Sequence, residues 1–478
     1  MNHKIKTEPF DLMQYFYTEV HRPLIRALIR LPGRLDPAAL KRAVGLSAAT
    51  VPQIRCRFSE KTHGWEECAF SAERVVRVTD AGGDAGVVAE RLLLDSIDLC
   101  AEPHLKIHLV RGRESDTLCV IFSHMVGDGA GFRQYLYLLA ALYRRCVRTS
   151  GCIVPPEPRD RSVGQVLRGL DVRERVRILH APVRFPKQEK DMLLPLEGGD
   201  GEPFTVLRRI GPDLLERLQT KARAGGATLN DALIAAYGRA HHALTHSRVC
   251  TVPCPVDLRK YLPKEQRGGI CNLTGSYFCR FRVADGEPFH ETLRKVAGEL
   301  SRQKKSRDCL KGPMLLSFLF TLLPFGAAKR VFREKFSIPV VSYTNLGVLD
   351  RRRLDFGTGK PLDAYLTTAV KHPPYFQVSA STCGGVCTLG SNLCGTQRDR
   401  RTAEDFLDAM VRALWLFAGE RAHKAAAKSQ TNAGGGSRAE GQPAGQQKGP
   451  EKEGRRTDAA DGGKSKPKPQ RQKAVRKA

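Results

Sequence analysis

Acidic side chains are in deficit in this sequence: 50 against 78 basic ones, for a formal net charge of +28. An excess of that size admits nucleic acid and anionic membrane surfaces as partners. Zinc-finger spacing is lacking, however, and so is an arginine-rich recognition helix, which leaves little basis for sequence-specific DNA reading. Metal-ligand spacing is lacking too. The 14 cysteines are scattered, and their closest pairs, Cys250/Cys254 and Cys383/Cys387, are spaced CxxxC with no His-x-x-x-His tract to complete a site. The N-terminal stretch MNHKIKTEPFDLMQYF has no apolar core of the kind an export signal needs. A cytoplasmic location with free, buried thiols is therefore the expectation. No apolar run is long enough to span a bilayer. The most apolar one, MLLSFLFTLLPFGAA from Met314, is short and broken by Pro324, which predicts a buried or interfacial helix and leaves a peripheral membrane contact open.

What is present is enough apolar material, 41% of 478 residues, for two or three domains. Arg22–Leu35 is extended, and Asp36-Pro37 then opens a helix by N-cap and first-turn logic. PQIRCRFSE alternates as a strand, with HGWEECAF and RVVRVTD as hairpin partners, and AGVVAERLLLDSI is helical. PHLKIHLVRG and DTLCVIFSH are two strands joined by RESD, followed by the helix GFRQYLYLLAALYRRC. From Cys152 to about Pro203 the pattern loosens into Pro-, Gly- and charge-rich sequence, a linker or crossover. The second half begins with a helix from Gly211. Thr228-Leu-Asn-Asp231 then forms a capping box for the next one. Further strands and helices lead to a closing helix, TAEDFLDAMVRALWLFAGE. Both halves are mixed α/β. The expected division is residues 1–190, residues 191–421 and a terminal tail, 422–478. From Lys424 onward 14 basic and 5 acidic side chains give +9 with almost no apolar residues, so the tail cannot bury a core and is expected to be disordered. It is either a solvated tail or an electrostatic tether for weak membrane or nucleic-acid contact.

The stretch LCVIFSHMVGDGAGFRQYLYLL, Leu118–Leu139, concentrates the chemistry. A stiff apolar strand ends at His124, and Gly127, Gly129 and Gly131 predict a sharp bend that exposes the ring at an edge and turns Asp128 back toward the protein. A histidine there is a satisfied core residue, a metal ligand or a general base. The lack of a second His at i+4 or of clustered Cys disfavours metal, and a near-neutral pKa suits proton transfer. His241, His242 and His246 lie on a predicted helix without an acidic or thiol third ligand and are expected on a helix surface.

His124-x-x-x-Asp128-Gly129 resembles the HxxxDG motif of the CoA-dependent acyltransferase superfamily, which includes chloramphenicol acetyltransferase, alcohol acetyltransferases and the condensation domains of peptide synthetases. PVDLRKYLP around Arg259 is similar to that family's Val-Asp/Asn-x-Arg segment. Asp355-Phe-Gly357-Thr-Gly359 is similar to its DFGWG motif, with Thr358 in place of Trp, and SYTNLGVLD resembles its Asn-Leu-Gly stretch. Condensation domains usually carry two adjacent histidines. Ser123 stands in the first position here, which points toward a free-standing acyltransferase, as does the lack of adjoining carrier or adenylation modules in the sequence.

The resemblance implies an α/β (α+β) fold of two chloramphenicol-acetyltransferase-like subdomains, each a mixed sheet flanked by helices, with an active-site channel between them. It implies acyl transfer from acyl-CoA, a cosubstrate and not a resident cofactor, to a hydroxyl or amine of a small molecule or lipid. His124 would be the general base, Asp128 would pair with Arg259 to hold the loop, and Gly129 would permit its bend. Asp355 and Gly357 would be structural. Ser342, Thr344 and Asn345 are candidate donors to the developing oxyanion. An acyl-carrier protein as donor and a non-catalytic scaffold of the same fold remain alternatives, and a monomer is expected.

Overall fold

The computed structural model describes residues 5–149, 151–180, 192–199, 201–335 and 339–419. All fall within one compact unit, Met1–Asn432. The segment expected to be a disordered tail, 422–478, lies outside the described residues, as does the expected boundary at residue 190.

The first half runs α1 (Pro9–Phe16), β1 (His21–Arg22), β2 (Leu24–Arg30), α2 (Pro37–Thr50), β3 (Cys56–Ser59), β4 (Gly64–Glu67), α3 (Ala72–Val75), β5 (Val76–Asp80), α4 (Ala85–Leu93), β6 (Leu105–Arg111), β7 (Asp116–Ser123) and α5 (Gly129–Arg148). Next come α6 (Gly164–Leu167), α7 (Val172–His180), β8 (Glu202–Ile210), α8 (Pro212–Ala224), α9 (Leu229–Thr245), β9 (Val249–Asp257), β10 (Thr274–Arg282) and α10 (Phe289–Ser306). The chain continues as α11 (Lys311–Leu322), α12 (Phe325–Lys335), β11 (Val341–Leu349), β12 (Asp363–Thr367), β13 (Val370–Lys371), β14 (Phe376–Cys383), β15 (Val386–Gly395) and α13 (Gln397–Ala418).

The local signals act as their chemistry requires. Asp36 accepts from the Ala38 N–H with Pro37 in the first turn of α2. Thr228 and Asp231 close a reciprocal capping box on α9. The strand DTLCVIFS is buried at every position, the pattern of a strand covered on both faces.

Five strands form one sheet in the order β12-β2-β7-β6-β5, with α2 against α5 and α4 packed on β7. A second sheet runs β1-β13-β15-β14-β11, with β8 beside β15 and α13 packed on both of these strands. β9 and β10 make a separate antiparallel ribbon. The fold is thus mixed α/β, with two helix-flanked sheets. Each sheet takes one strand from the opposite half of the sequence: β12 pairs with β2, and β1 pairs with β13. Buried Arg26 of β2 reinforces the exchange by donating to the carbonyl of Thr368, just after β12, at 3.2 Å, while its Nε donates to Leu93 O at 2.8 Å within its own half.

Three local expectations are corrected. Residues 74–80 do not form a hairpin with 63–70; β5 pairs parallel to β6, because α4 provides the crossover that a parallel pair needs. Pro52 starts a short 3₁₀ turn, Pro52–Arg55, so the strand read from it begins only at Cys56. The loosened segment from Cys152 carries α6 and α7, and β8 begins inside its end. Only Ile178 of α7 is buried, too narrow an apolar face to show as a helical period.

Candidate functional site

β7 delivers His124 and α5 departs from Asp128, so residues 124–128 form a loop between the central strand and a long helix. Beside this loop lies a cavity of about 410 Å³ whose walls draw on both sheets: His124 and Gly129 from the first, Ser342, Thr344 and Asn345 of β11 from the second.

Nearly every polar group of the loop backbone is committed. The His124 N–H donates to Pro23 O at 2.8 Å, between β1 and β2. The buried Asn272 amide donates to the carbonyls of His124, at 2.9 Å, and Met125, at 3.1 Å. Arg161 donates to the carbonyl of Val126 at 2.7 Å and pairs with the buried Asp11 at 2.9 Å. Ser123, immediately before His124, is buried, and its hydroxyl accepts from the Met125 N–H at 3.2 Å.

Asp128 is saturated. One oxygen accepts from the Gly131 N–H at 2.8 Å, which caps α5, and the other from the Leu273 N–H and the Thr274 hydroxyl, each at 2.8 Å. Arg259 Nη1 reaches both oxygens at 3.0 Å, while its Nη2 donates to Cys271 O at 2.7 Å. Burial alone would push this carboxyl up; the Arg259 guanidinium and the surrounding donors overcome it and hold the pKa below the usual carboxylate range. No hydrogen bond joins Asp128 to the imidazole among the described residues.

The imidazole of His124 lines the cavity, and its Nδ1 is buried. Burial pulls its pKa below the ordinary histidine value, opposed by hydrogen bonding to its own backbone, by the nearby Asp128 charge and by Asn272, so the neutral form prevails at neutral pH.

The glycines serve a different purpose from the one expected. None of Gly127, Gly129 and Gly131 has a positive φ. Gly129 and Gly131 are needed for close approach: a Cβ on Gly129 would lie 2.6 Å from the Leu346 side chain, and one on Gly131 would lie 2.8 Å from Cys271 O. The loop is therefore seated against both β11 and the segment leading into β10.

The three candidate donors on β11 do not stand equal. Asn345 is occupied, donating to Asn230 at 2.9 Å and accepting from the Gly347 N–H at 2.8 Å across a bulge. Ser342 makes a long bond, 3.4 Å, to Phe376 O. Thr344 is buried in the cavity wall, and no hydrogen bond engages its hydroxyl among the described residues. Asp355 and Gly357 do not line the cavity. The Asp355 carboxylate accepts from the N–H groups of Gly357, at 2.6 Å, and Gly359, at 3.1 Å, while Phe356 is buried against Tyr143.

Outside the site, His241 is corrected from helix surface to core: it is fully buried, with Nε2 bonded to Met192 O at 2.9 Å. Cys383 and Cys387 flank a hairpin turn whose Gly384 and Gly385 have φ of 56° and 84°. No metal-binding cluster of His, Cys, Asp or Glu occurs among the described residues, and none of their helices is long and apolar enough to cross a membrane.

Asp11, Arg161, Cys271 and Asn272 were not legible as site residues. Each sits in a short helix or loop and meets the His124 loop only through the fold. The sole local hint is that Asn272 and Cys271 stand just before a strand.

No protein-family model matches the chain. Among curated proteins it is similar to the cyclosporin synthetase of Tolypocladium inflatum, 23% identical over 406 residues covering 82% of this chain. It is also similar to a nonribosomal peptide synthetase of Alternaria alternata, 28% identical over 57% of the chain. The chain spans only 3% and 6% of the length of these two relatives. Among solved structures it is similar to the first condensation domain of the CDA synthetase, with TM-score 0.63 and 17% identity over 87% of this chain and 96% of that one. The epimerization domain from the third module of tyrocidine synthetase B gives TM-score 0.60 and 15% identity over 87% and 98%. Polyketide synthase associated protein 5 from Mycobacterium tuberculosis gives 0.57 and 17% over 87% and 98%. The chain has the fold of these condensation and epimerization domains. Both curated relatives are synthetases, contrary to the inclination drawn from Ser123.

Proposed function

We infer that this protein, built on the condensation-domain fold, is an acyltransferase of the condensation type that moves an acyl group from a thioester to an amine or hydroxyl acceptor. His124 takes the proton from the acceptor as its nitrogen or oxygen attacks the thioester carbonyl. The C–S bond then breaks, and the same proton goes to the departing thiolate. One imidazole holding both reactants needs no covalent acyl-enzyme.

The observation that carries this reading is the contrast within the motif. The His124 ring lines the cavity, whereas Asp128, four residues on, is turned to Arg259 and the loop and has no capacity left for the ring. Asp128 and Arg259 are thus positioning residues for the loop, and Gly129 is the close-packing residue that sets it against β11. Thr344 is the best-placed side-chain donor to the oxyanion, because Asn345 is already engaged. Asp355 and Gly357 shape the second half without touching reactants.

The donor expected from sequence was acyl-CoA. Similarity to two peptide synthetases and to the solved condensation domain of the CDA synthetase favours an acyl group carried as a thioester on a carrier protein, which makes such a carrier the partner. The test is thiol release from an acyl-loaded carrier protein and, in parallel, from acyl-CoAs, with pooled amine and alcohol acceptors. Acceptor-dependent release from the loaded carrier is expected. Release from CoA alone would overturn the carrier assignment, and none from either donor would leave a non-catalytic scaffold.

A further inference from the structure

The two-residue ladder of β1 and β13 places His21 opposite Lys371. Both side chains line the same cavity as His124, and both are buried, with 5% and 6% exposure. Lys371 Nζ lies 3.2 Å from His21 Nδ1. No carboxylate pairs with Lys371 among the described residues, and the charged groups that bear on His21 are Lys371, His124 and His372, all basic. With Nζ donating, Nδ1 is the acceptor and Nε2 keeps its hydrogen, so with Lys371 protonated the pair offers several N–H donors and no spare acceptor.

An amine buried in this way is costly unless something anionic joins it. Burial drives the Lys371 pKa down to about 7. An apolar residue would pack the same place at lower cost. A nucleophilic lysine would end as an inert amide after one acylation. A carboxylate, by contrast, would restore the ammonium charge and accept from both side chains. The ladder also runs directly into the reacting centre: Pro23, which follows β1, accepts the His124 backbone N–H at 2.8 Å.

We propose that His21 and Lys371 form the subsite for a free carboxylate on the acceptor, so that the acceptor is an amino acid or hydroxy acid and not a neutral amine or alcohol. Resting on the transfer reading above, the subsite orients the acceptor so that its amine or hydroxyl meets His124.

The test is calorimetric titration of the full chain carrying His124→Ala, which blocks turnover, with a panel of amino acids, 2-hydroxy acids and their methyl esters. Acids are expected to bind about tenfold or more tightly than the matching esters. Binding above pH 7 should take up a proton, read from buffers of different ionisation enthalpy. Adding Lys371→Met should abolish both the preference and the uptake, with Lys371→Gln as a second variant should the first fail to fold. Equal affinity for acid and ester, no acid bound from the panel, or a preference that survives both substitutions would overturn the proposal. Since turnover is not needed, acid binding retained in a protein that never transfers an acyl group would refute the transfer reading and leave the subsite standing.

Discussion

Around Asp128, two carboxylate oxygens meet Arg259, two backbone N–H groups and a hydroxyl, and no lone pair is left over. Around His21 and Lys371, lining the same cavity, two basic groups hydrogen-bond each other, and no carboxylate pairs with either among the described residues. Both clusters are buried, and both join segments far apart in sequence. A saturated buried network fixes a shape and resists rearrangement, because any change strands a charge. An unsaturated one keeps donors in reserve at a cost in stability, which a ligand can offset. His124 belongs with the second kind. Its backbone is held by the saturated network while its ring faces the cavity, the arrangement that the proposed transfer requires.

Substitutions should separate the two kinds. The largest stability loss is expected for Arg259→Met, which strands the buried Asp128 charge and should cost about 3–5 kcal/mol in denaturant unfolding. If it cost no more than an ordinary surface change, the saturated description would be wrong. Gly131→Ala pushes a methyl toward Cys271 O and should cost about 1–3 kcal/mol, with transfer falling as the loop shifts. Lys371→Met should act in the opposite direction, raising stability at neutral pH by about 1 kcal/mol or more. Its pH dependence has a defined sign. With the folded pKa near 7 and the unfolded value at the usual lysine level, the unfolded chain binds the extra proton between them. Stability of the parent should therefore climb from about pH 7 toward pH 10, and the variant should lose that slope. Asp355→Ala should have the smallest effect, about 1 kcal/mol from its turn bonds, with the transfer rate unchanged because it lies off the cavity.

Much of this was written in local sequence. An unbroken apolar strand, a histidine at its end and a helix after Asp128 specify β7, the loop and α5 through burial and capping alone. The Asp128–Arg259 pair and the placing of Thr344 on the cavity followed from resemblance to known motifs, since nothing local ties residue 128 to residue 259. The strand exchange could not be read, because a two- or five-residue strand carries no mark of the sheet it will join. The same reason hid His21 and Lys371, 350 positions apart and brought together only by that exchange. Asn272 and Arg161 escaped notice because their contacts are to loop carbonyls, which leave no pattern in composition or period. The glycines stood out in sequence as turn residues, whereas the constraint on Gly129 and Gly131 is contact, arising from Leu346 and Cys271 packing in from elsewhere.

The most direct measurement is acceptor-dependent thiol release from an acyl-loaded carrier protein by the parent and by His124→Ala, with unfolding midpoints taken on the same samples. The site described here predicts a rate lower by about 10²–10⁴-fold in the variant at an unchanged midpoint. A variant that keeps the parental rate while folded would contradict it.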